Sequence, residues 1–545
     1  MGLKTTTLDT LYDLCIIGSG PAGLTLCAEL AESGKKICIL ESGEKNKTQT
    51  ADVLREVESS GEIKIKQSSR ERIWGGTSTT WAGLSSPLDD IDFIDRVHLS
   101  HPVHWPLNAT DLTPYYQKAS RYGFPAPERF NSIETTHLRD TSELKIPHDF
   151  LQEKIFIAAD PPWNFGKELN SKLKKENVDI FLDATVINLS SESGPSGTQV
   201  TEAIIKHKDG SEQKIKARNF IIAAGGIESV RLLLLSNDTN SKGLGNEYDQ
   251  VGKYIMNHPK GNHGLLHLNK PVKKLPYFFG YLQNGWAEYA GIRLNEATQL
   301  HLGVLNSYIR FEPIFPWTDN SGVQSLVILT KQMKFFLDWW KKKQKHLIHL
   351  RDYNETGDDI KITSRKEKFN LFFSLYKILI DFPVVINYLI HRLFQNKELP
   401  IKTIRLRNFM DMEPRPENRI TLSKELDRNG QRLPVVTLST SSLDRRSVIE
   451  LHRIFGEEMK KNNIGVLESS LDEEGSWPIS QEASHHLGGT RMGDDPKNSV
   501  VNKNLQVHSV HNLYICSVSV FPTAGSANPT YTLCALAIRL ANHLK

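Results

Sequence analysis

Apolar positions along the chain follow three rhythms, and each predicts a different kind of element. Tyr12 to Ile17 is a short continuous apolar run, followed by Gly18-Ser19-Gly20-Pro21-Ala22-Gly23, a helix-like stretch from Leu24 to Glu32, and a second run, Ile37 to Leu40, ending in Glu41. Runs of this length bounded by glycine predict buried strands, here in the order strand, turn, helix, strand. Arg218 to Ala224 repeats the strand pattern before Gly225-Gly226 and an apolar helix, Ser229 to Leu235. Strict alternation takes over in Ala290 to Ile309 and around Val435 to Leu438, which predicts half-buried strands of one large sheet. The third rhythm is helical: Phe369 to Phe394 is strongly apolar, and Asn370, Ser374, Lys377 and Asp381 recur in it at spacings of four, three and four, one narrow polar stripe.

The first of these units carries chemistry. Strand, G-x-G-x-x-G, helix, strand and a final acidic residue make the dinucleotide fingerprint in its required context. Gly18 permits the tight turn, Gly20 lets backbone approach a pyrophosphate, and Gly23 allows close helix packing. The helix N-terminus stabilises the phosphate charge, and Glu41 is placed to accept from ribose hydroxyls. The fingerprint alone does not separate FAD from NAD. A second G-x-G-x-x-G is lacking, which argues against a separate NAD(P)H site, and the lack of C-x-x-C removes the dithiol flavoenzymes.

Composition narrows the field further. The 545 residues hold 67 Lys and Arg against 63 Asp and Glu, so a net charge of +4 leaves no electrostatic footprint for nucleic acid. Cys15, Cys27, Cys38, Cys516 and Cys534 have no metal-ligand spacing, and no transition metal is expected. The N-terminal stretch lacks the signature of an export signal, so a cytoplasmic location is expected; Met1 to Thr6 matches a myristoylation pattern that recurs often by chance.

Further motifs carry a resemblance. Arg72-Ile73-Trp74-Gly75-Gly76-Thr77-Ser78, continuing through Thr80-Trp81-Ala82-Gly83, resembles the flavin-contacting loop of the glucose-methanol-choline (GMC) oxidoreductases. Trp105-Pro106, Asp111 to Tyr116, Val251 to Tyr254, His258-Pro259 and Pro416 to Leu422 stand in the family's order, with the greatest likeness to its sugar- and glycoside-oxidising, pyranose-oxidase-like branches. Ser484 to Gly493 resembles the family's H-x-x-G-[TG]-T-R-M-G and Val518 to Thr532 its flavin-facing turn. The resemblance implies FAD as cofactor, His485 as catalytic base and Asn528 as its partner. It also implies cofactor contacts from Trp74, Gly75, Gly76, Thr77, Ser78, Val186, Ala224, Gly225, Ser517, Pro529 and Thr530, beside Gly18, Gly20, Gly23 and Glu41. Some relatives link the flavin to a histidine at the position of Thr80, so noncovalent FAD is expected here.

The expected architecture is α/β: a Rossmann-type FAD-binding domain with an inserted α+β substrate domain built on a large sheet. The FAD domain would be discontinuous, with parts at 1–100, 165–265 and 480–545, a connecting segment at 101–164, and the substrate domain at 266–479. The expected reaction removes a hydride from a CH–OH group of a sugar, glycoside or aminoglycoside. A neutral imidazole suits the base because hydride leaves readily only as the hydroxyl proton is lost. His486 is the reserve base. A lipid-like or sterol alcohol, or a flavin-binding protein without turnover, are the competing readings. The helical insertion 332–394, with Trp339-Trp340 followed by three lysines, is expected to be a buried hairpin over the substrate domain, against a competing reading as a peripheral membrane or partner-binding element.

Overall fold

The Leu11–Ile17 strand lies near the centre of a seven-stranded sheet in the computed structural model, which describes residues 10–545 except 97, 102, 137, 139–142, 196, 276, 278–280, 284, 333–370, 394–399 and 473–481. Ile37–Leu40 and Glu212–Ile222 flank it in parallel, with Val178–Phe181 beyond the first and Leu513–Ile515 beside the second. An antiparallel hairpin, Thr185–Gly194 with Gly197–Lys206, completes the sheet. Parallel strands are covered on both faces, which is why they read as continuous apolar runs. Leu14, Cys15, Ile16 and Ile37 to Ile39 are accordingly buried. The helices Pro21–Leu30 and Thr530–Leu544 pack on each other, so the two ends of the chain share one core.

A second seven-stranded sheet is antiparallel. Its order runs Tyr281–Gln283, Trp286–Leu294, Tyr308–Pro313, Ile401–Phe409, Lys260–Val272 and Gly465–Glu468, with Leu151–Ala159 also pairing Trp286–Leu294. The twenty-residue helix Ser442–Lys461 opens with a capping box, Ser441 with Asp444, and buries Leu451, Ile454, Phe455 and Met459 against this sheet's core.

The structure departs from several expectations. The strand Arg432–Thr437 does not join the large sheet. It pairs with Arg419–Leu426 and, in parallel, with Glu58–Ser60, and sends Val436 into the core around the first sheet. Alternation shows that one face is buried, not which neighbour buries it. The Lys260–Val272 strand begins before the expected boundary at 265, and the segment 101–164 ends in the Leu151–Ala159 strand, paired over nine positions with Trp286–Leu294.

The apolar run of the insertion is two helices, Leu371–Ile380 and Phe382–Leu393, bent by 84°. The bend falls at Asp381, whose carboxylate accepts from Gly322 N at 2.8 Å and Ser321 Oγ at 2.9 Å. These helices are not a buried hairpin: Phe372, Tyr376, Leu379 and Phe382 face outward. Trp339 to Lys343 and Asn370 lie outside the described residues.

A buried polar knot joins the two domains. Arg96 donates to Asp92 at 2.8 Å and to Asp411 at 3.2 Å, while Lys154 donates to Asp89 at 2.7 Å. Asn306 donates to both Asp89 and Asp92, and Arg293 lies 3.4 Å from Asp89. Burial, then the neighbouring Asp89, pushes the Asp92 carboxyl up; burial acts the same way on Asp89, but Lys154 and Arg293 outweigh it and hold that carboxyl down. Arg96→Met leaves Asp92 and Asp411 short of a counter-charge, and loss of one partner from a buried ion pair costs about 3–5 kcal/mol. Chemical denaturation of this variant is expected to show a loss of that order; a loss below 1 kcal/mol contradicts the role given to the knot.

Candidate active site

A cavity of 740 Å³ lies where the two sheets meet, walled by the glycine turn on one side and by the inner face of the antiparallel sheet on the other. Gly18 and Gly23 make its base by close approach. A side chain at Gly23 would overlap the Gly18 carbonyl, and one at Gly18, which has φ of 107°, would press on the Ala223 carbonyl. Gly20, by contrast, faces open space in the cavity wall. Glu41 is buried at the end of its strand and accepts from Ser19 N at 3.0 Å, Ser19 Oγ at 2.6 Å and Gly43 N at 2.8 Å, tying the turn to the second strand.

Gly76, Thr77, Val186, Ala224, Gly225, Ser517, Pro529 and Thr530 also line the cavity. Trp74, Gly75 and Ser78 stand behind its wall. The Trp74 indole donates to Gly166 O at 2.8 Å, Gly75 N donates to Ser19 Oγ at 3.3 Å, and Ser78 Oγ donates to Gly75 O at 2.6 Å while accepting from Phe165 N. Their part is to hold the loop rather than to face its contents.

Two features fit a dinucleotide with a pyrophosphate. The open Gly20 backbone stands beside the N-terminus of Pro21–Leu30, where exposed amides and the helix dipole favour an anion. Nearby, Arg70, Arg72 and Arg231 surround Glu228 at 2.7, 2.9 and 3.4 Å. Burial raises the Glu228 carboxyl, but the three guanidiniums outweigh it and hold it at about 2. Arg70 Nε and Arg72 Nε remain buried donors with no hydrogen-bond partner among the described residues, in a wall that faces the cavity. The sequence reading missed this cluster. Its available signal was three arginines and one glutamate flanking two glycine turns.

At the other end, His485 and Asn528 both line the cavity. His485 is held twice by adjacent residues: its backbone N donates to Asn257 Oδ1 at 3.2 Å, and its Nδ1 lies 2.8 Å from Nδ1 of His258. Nε2 of His258 lies 3.4 Å from the Ala524 carbonyl. Burial, then His258, Lys260 and His486, holds the His485 pKa well below the usual histidine range; burial also lowers His258, against the pull of Asp411. His486 also lines the cavity, with Nε2 at 3.3 Å from Ser69 Oγ. The Asn528 side chain has no protein hydrogen bond among the described residues, and Pro529 then leads into the Thr530–Leu544 helix.

The floor beneath these groups comes from alternate residues of two antiparallel strands: Tyr308 and Arg310 on one, Arg407 and Phe409 on its neighbour, with Lys260 and Tyr289 beside them. Tyr308 and Phe409 stack at 4.5 Å, and the Arg310 guanidinium lies 5.4 Å from the Tyr289 ring centroid. Sequence pattern predicted strands here without showing which face looked into the site. His258 was visible only as part of a family motif.

Comparison with known proteins agrees with this geometry. A family profile described as GMC oxidoreductase matches residues 414–537, and one described as FAD binding domain matches residues 13–52. The chain is 23% identical to 6'''-hydroxyparomomycin C oxidase of Streptomyces lividus over 100% of this chain and 94% of that protein. It is 25% identical to the fructose dehydrogenase large subunit of Gluconobacter japonicus, over 68% of this chain and 54% of that one. It is 22% identical to 2-methyl-1,2-propanediol dehydrogenase of Mycolicibacterium austroafricanum, over 99% and 96% of the two chains. A glycine turn and buried arginines that fit FAD, a paired histidine above a polar floor, and these matches together identify an FAD-dependent oxidoreductase that acts on alcohol groups, similar to the GMC oxidoreductases over residues 414–537.

Proposed function

We propose that the enzyme removes a hydride from the CH–OH carbon of a sugar, glycoside or aminoglycoside, with His485 taking the hydroxyl proton and Asn528 holding the same oxygen. The observation that carries this is the clasp on His485. The Ala524 carbonyl only accepts, so the neutral His258 ring carries its proton on Nε2 and presents Nδ1 as an acceptor. His485 then donates from Nδ1, which leaves Nε2 as its basic position. Its depressed pKa keeps that ring neutral at neutral pH, ready to accept a proton.

Bound FAD supplies the hydride acceptor. Gly18, Gly20, Gly76 and the Arg70, Arg72 and Arg231 group would hold it, and amides at the start of Thr530–Leu544 would stabilise negative charge. Asn528 fixes the approach of the reacting carbon, which shifts the barrier through orientation. The floor favours a polyhydroxylated substrate over a lipid-like alcohol: aromatic faces suit the CH face of a sugar ring, and Arg310, Arg407 and Lys260 suit its hydroxyls. The aminoglycoside named for the Streptomyces relative belongs to the same chemical class. We place the enzyme in the cytoplasm, with peripheral membrane contact through the insertion 332–394.

The FAD is expected to be noncovalent, since Thr80, which lines the cavity, cannot form a histidyl link. Acid precipitation should release the flavin into the supernatant; yellow precipitate contradicts this. His485→Ala is expected to keep its FAD but slow flavin reduction by an amount in the range of about 10²- to 10⁴-fold, the usual weight of a general base. His486→Ala should stay within a few fold of wild type, and the reverse pattern assigns the base to His486.

His258 gives a sharper test. Asn at that position keeps an acceptor near the Nδ1 site, whereas Leu removes it. His258→Asn should retain most of kcat, and His258→Leu should lose about 10-fold or more with KM little changed. In wild type, kcat/KM should hold steady through neutral pH and fall only on the acid side, below about 6.5, as the depressed base protonates. In His258→Leu that acid limb should move to still lower pH, because the neutral Nδ1 acceptor that steadies protonated His485 is gone while burial, Lys260 and His486 still depress it. Equal loss in both variants with an unmoved acid limb contradicts the tautomer argument.

A further inference from the structure

The two helices of the insertion have their amphipathicity reversed. On Leu371–Ile380 the polar stripe faces protein: Ser374, Lys377 and Asp381 are half-buried, and a side chain at Gly322 of the helix Ser321–Gln332 would meet Asp381 and the Lys377 carbonyl. The apolar face looks outward. Phe372 is 84% exposed, Leu379 70%, Ile380 61% and Tyr376 58%. Phe382, Ile386 and Ile390 of the next helix extend the same surface, while Val385 and Tyr388 anchor it on Val323. A surface helix of a water-soluble protein turns its apolar stripe toward the core.

The exposed portions together amount to about four whole large side chains, on the order of 700 Å² at roughly 150–200 Å² each. That exceeds the few hundred Å² of contiguous apolar surface usual on a monomer. The pair of helices is bent by 84°, so it does not read as one straight membrane span. A bent pair with apolar side chains exposed on both helices suits a wedge lying along an interface. Charge indicates which interface. Lys377 lies 4.6 Å over the Phe373 ring, at the edge of the apolar face. In sequence, 333–370 carries ten Lys and Arg against six Asp and Glu, together with Trp339 and Trp340. A cation beside the apolar face, next to a stretch of sequence with net positive charge, matches the acyl boundary and headgroups of an anionic bilayer.

We infer that the outward face of Leu371–Ile380 and Phe382–Leu393 docks the enzyme on the surface of an anionic lipid bilayer without spanning it. This gives the membrane contact proposed above a location and a lipid chemistry, and it does not depend on the identity of the alcohol. The attachment divides the molecule into a lipid-bound insertion and a catalytic body on the aqueous side.

The test uses full-length holoenzyme and vesicles of phosphatidylcholine alone or mixed equally with phosphatidylglycerol, separated by sedimentation at low and at high salt. The mixed vesicles are expected to bind at least tenfold more protein at low salt than the neutral ones. Phe372→Ser with Leu379→Ser should lower that binding tenfold or more, with flavin content and dye-coupled alcohol oxidation unchanged. Tyr376→Ser with Ile380→Ser serves as a second pair should the first reduce flavin content. Failure to sediment with either vesicle overturns the inference, as does equal binding to both. A wild-type dimer in the ultracentrifuge that these substitutions dissolve, without vesicle binding, assigns the face to a second copy of the chain. Lack of alcohol oxidation despite vesicle binding counts against the proposed reaction and leaves the lipid contact standing.

Discussion

Everything at the catalytic end of the cavity depends on the buried knot of Asp89, Asp92 and Asp411 with Arg96, Lys154 and Arg293. The turn that carries Asn528 cannot place itself: Thr523 Oγ1 donates to Asp92 O at 3.0 Å, Ser526 Oγ reaches Asp89 at 3.4 Å, and the Gly525 backbone passes so close to the Asp92 carboxylate that a side chain there would collide with it. The same knot takes Lys154 and Arg293 from the antiparallel sheet and Arg96 from the chain that follows the flavin loop. Ala524, which orients His258, sits inside the turn so held. Burying this many charges is expensive unless each is paired and hydrogen-bonded. The return is geometric: two separately built sheets keep a fixed relation where the reaction occurs.

The groups proposed for catalysis therefore come from three distant stretches of chain. His258 precedes a strand of the second sheet, His485 follows the segment that leads back from it, and Asn528 stands just before the last helix. None is positioned by local secondary structure alone. Asn257 and His258 act as one clamp, the first on the backbone of His485 and the second on its ring. A base held at two points loses little further freedom as the reaction proceeds, and such pre-organisation lowers barriers in enzymes generally.

How much of this the sequence revealed follows from the range of the interactions involved. The first nucleotide-binding unit is local: strand, glycine turn, helix and Glu41 lie within about thirty residues, and the structure assembles them in the order read. His485 and Asn528 were legible through motifs, and both line the cavity. Val435 to Leu438 was misplaced because its alternation says nothing of Glu58–Ser60, nearly 380 positions earlier, with which it pairs. Trp74, Gly75 and Ser78 share a loop with residues that do face the cavity, but their hydrogen bonds to Gly166, Ser19 and Phe165 turn them away from it. The polar stripe on Leu371–Ile380 was read correctly as a stripe. Its direction depends on Asp381 capping a helix some sixty residues upstream. Periodicity reports that a helix has two faces; tertiary partners decide which one meets water.

The central claim is that a neutral His485, oriented by His258, presents Nε2 to the alcohol. A crystal structure of the FAD-bound enzyme with a non-reactive substrate analogue addresses it most directly. The account predicts that the His258 to His485 Nδ1 contact persists near 2.8 Å with flavin in place. It also predicts that the analogue's hydroxyl oxygen lies within hydrogen-bond reach, about 2.6–3.2 Å, of His485 Nε2. A ring rotated so that the His258 contact is lost, or a hydroxyl held by His486 instead, contradicts it.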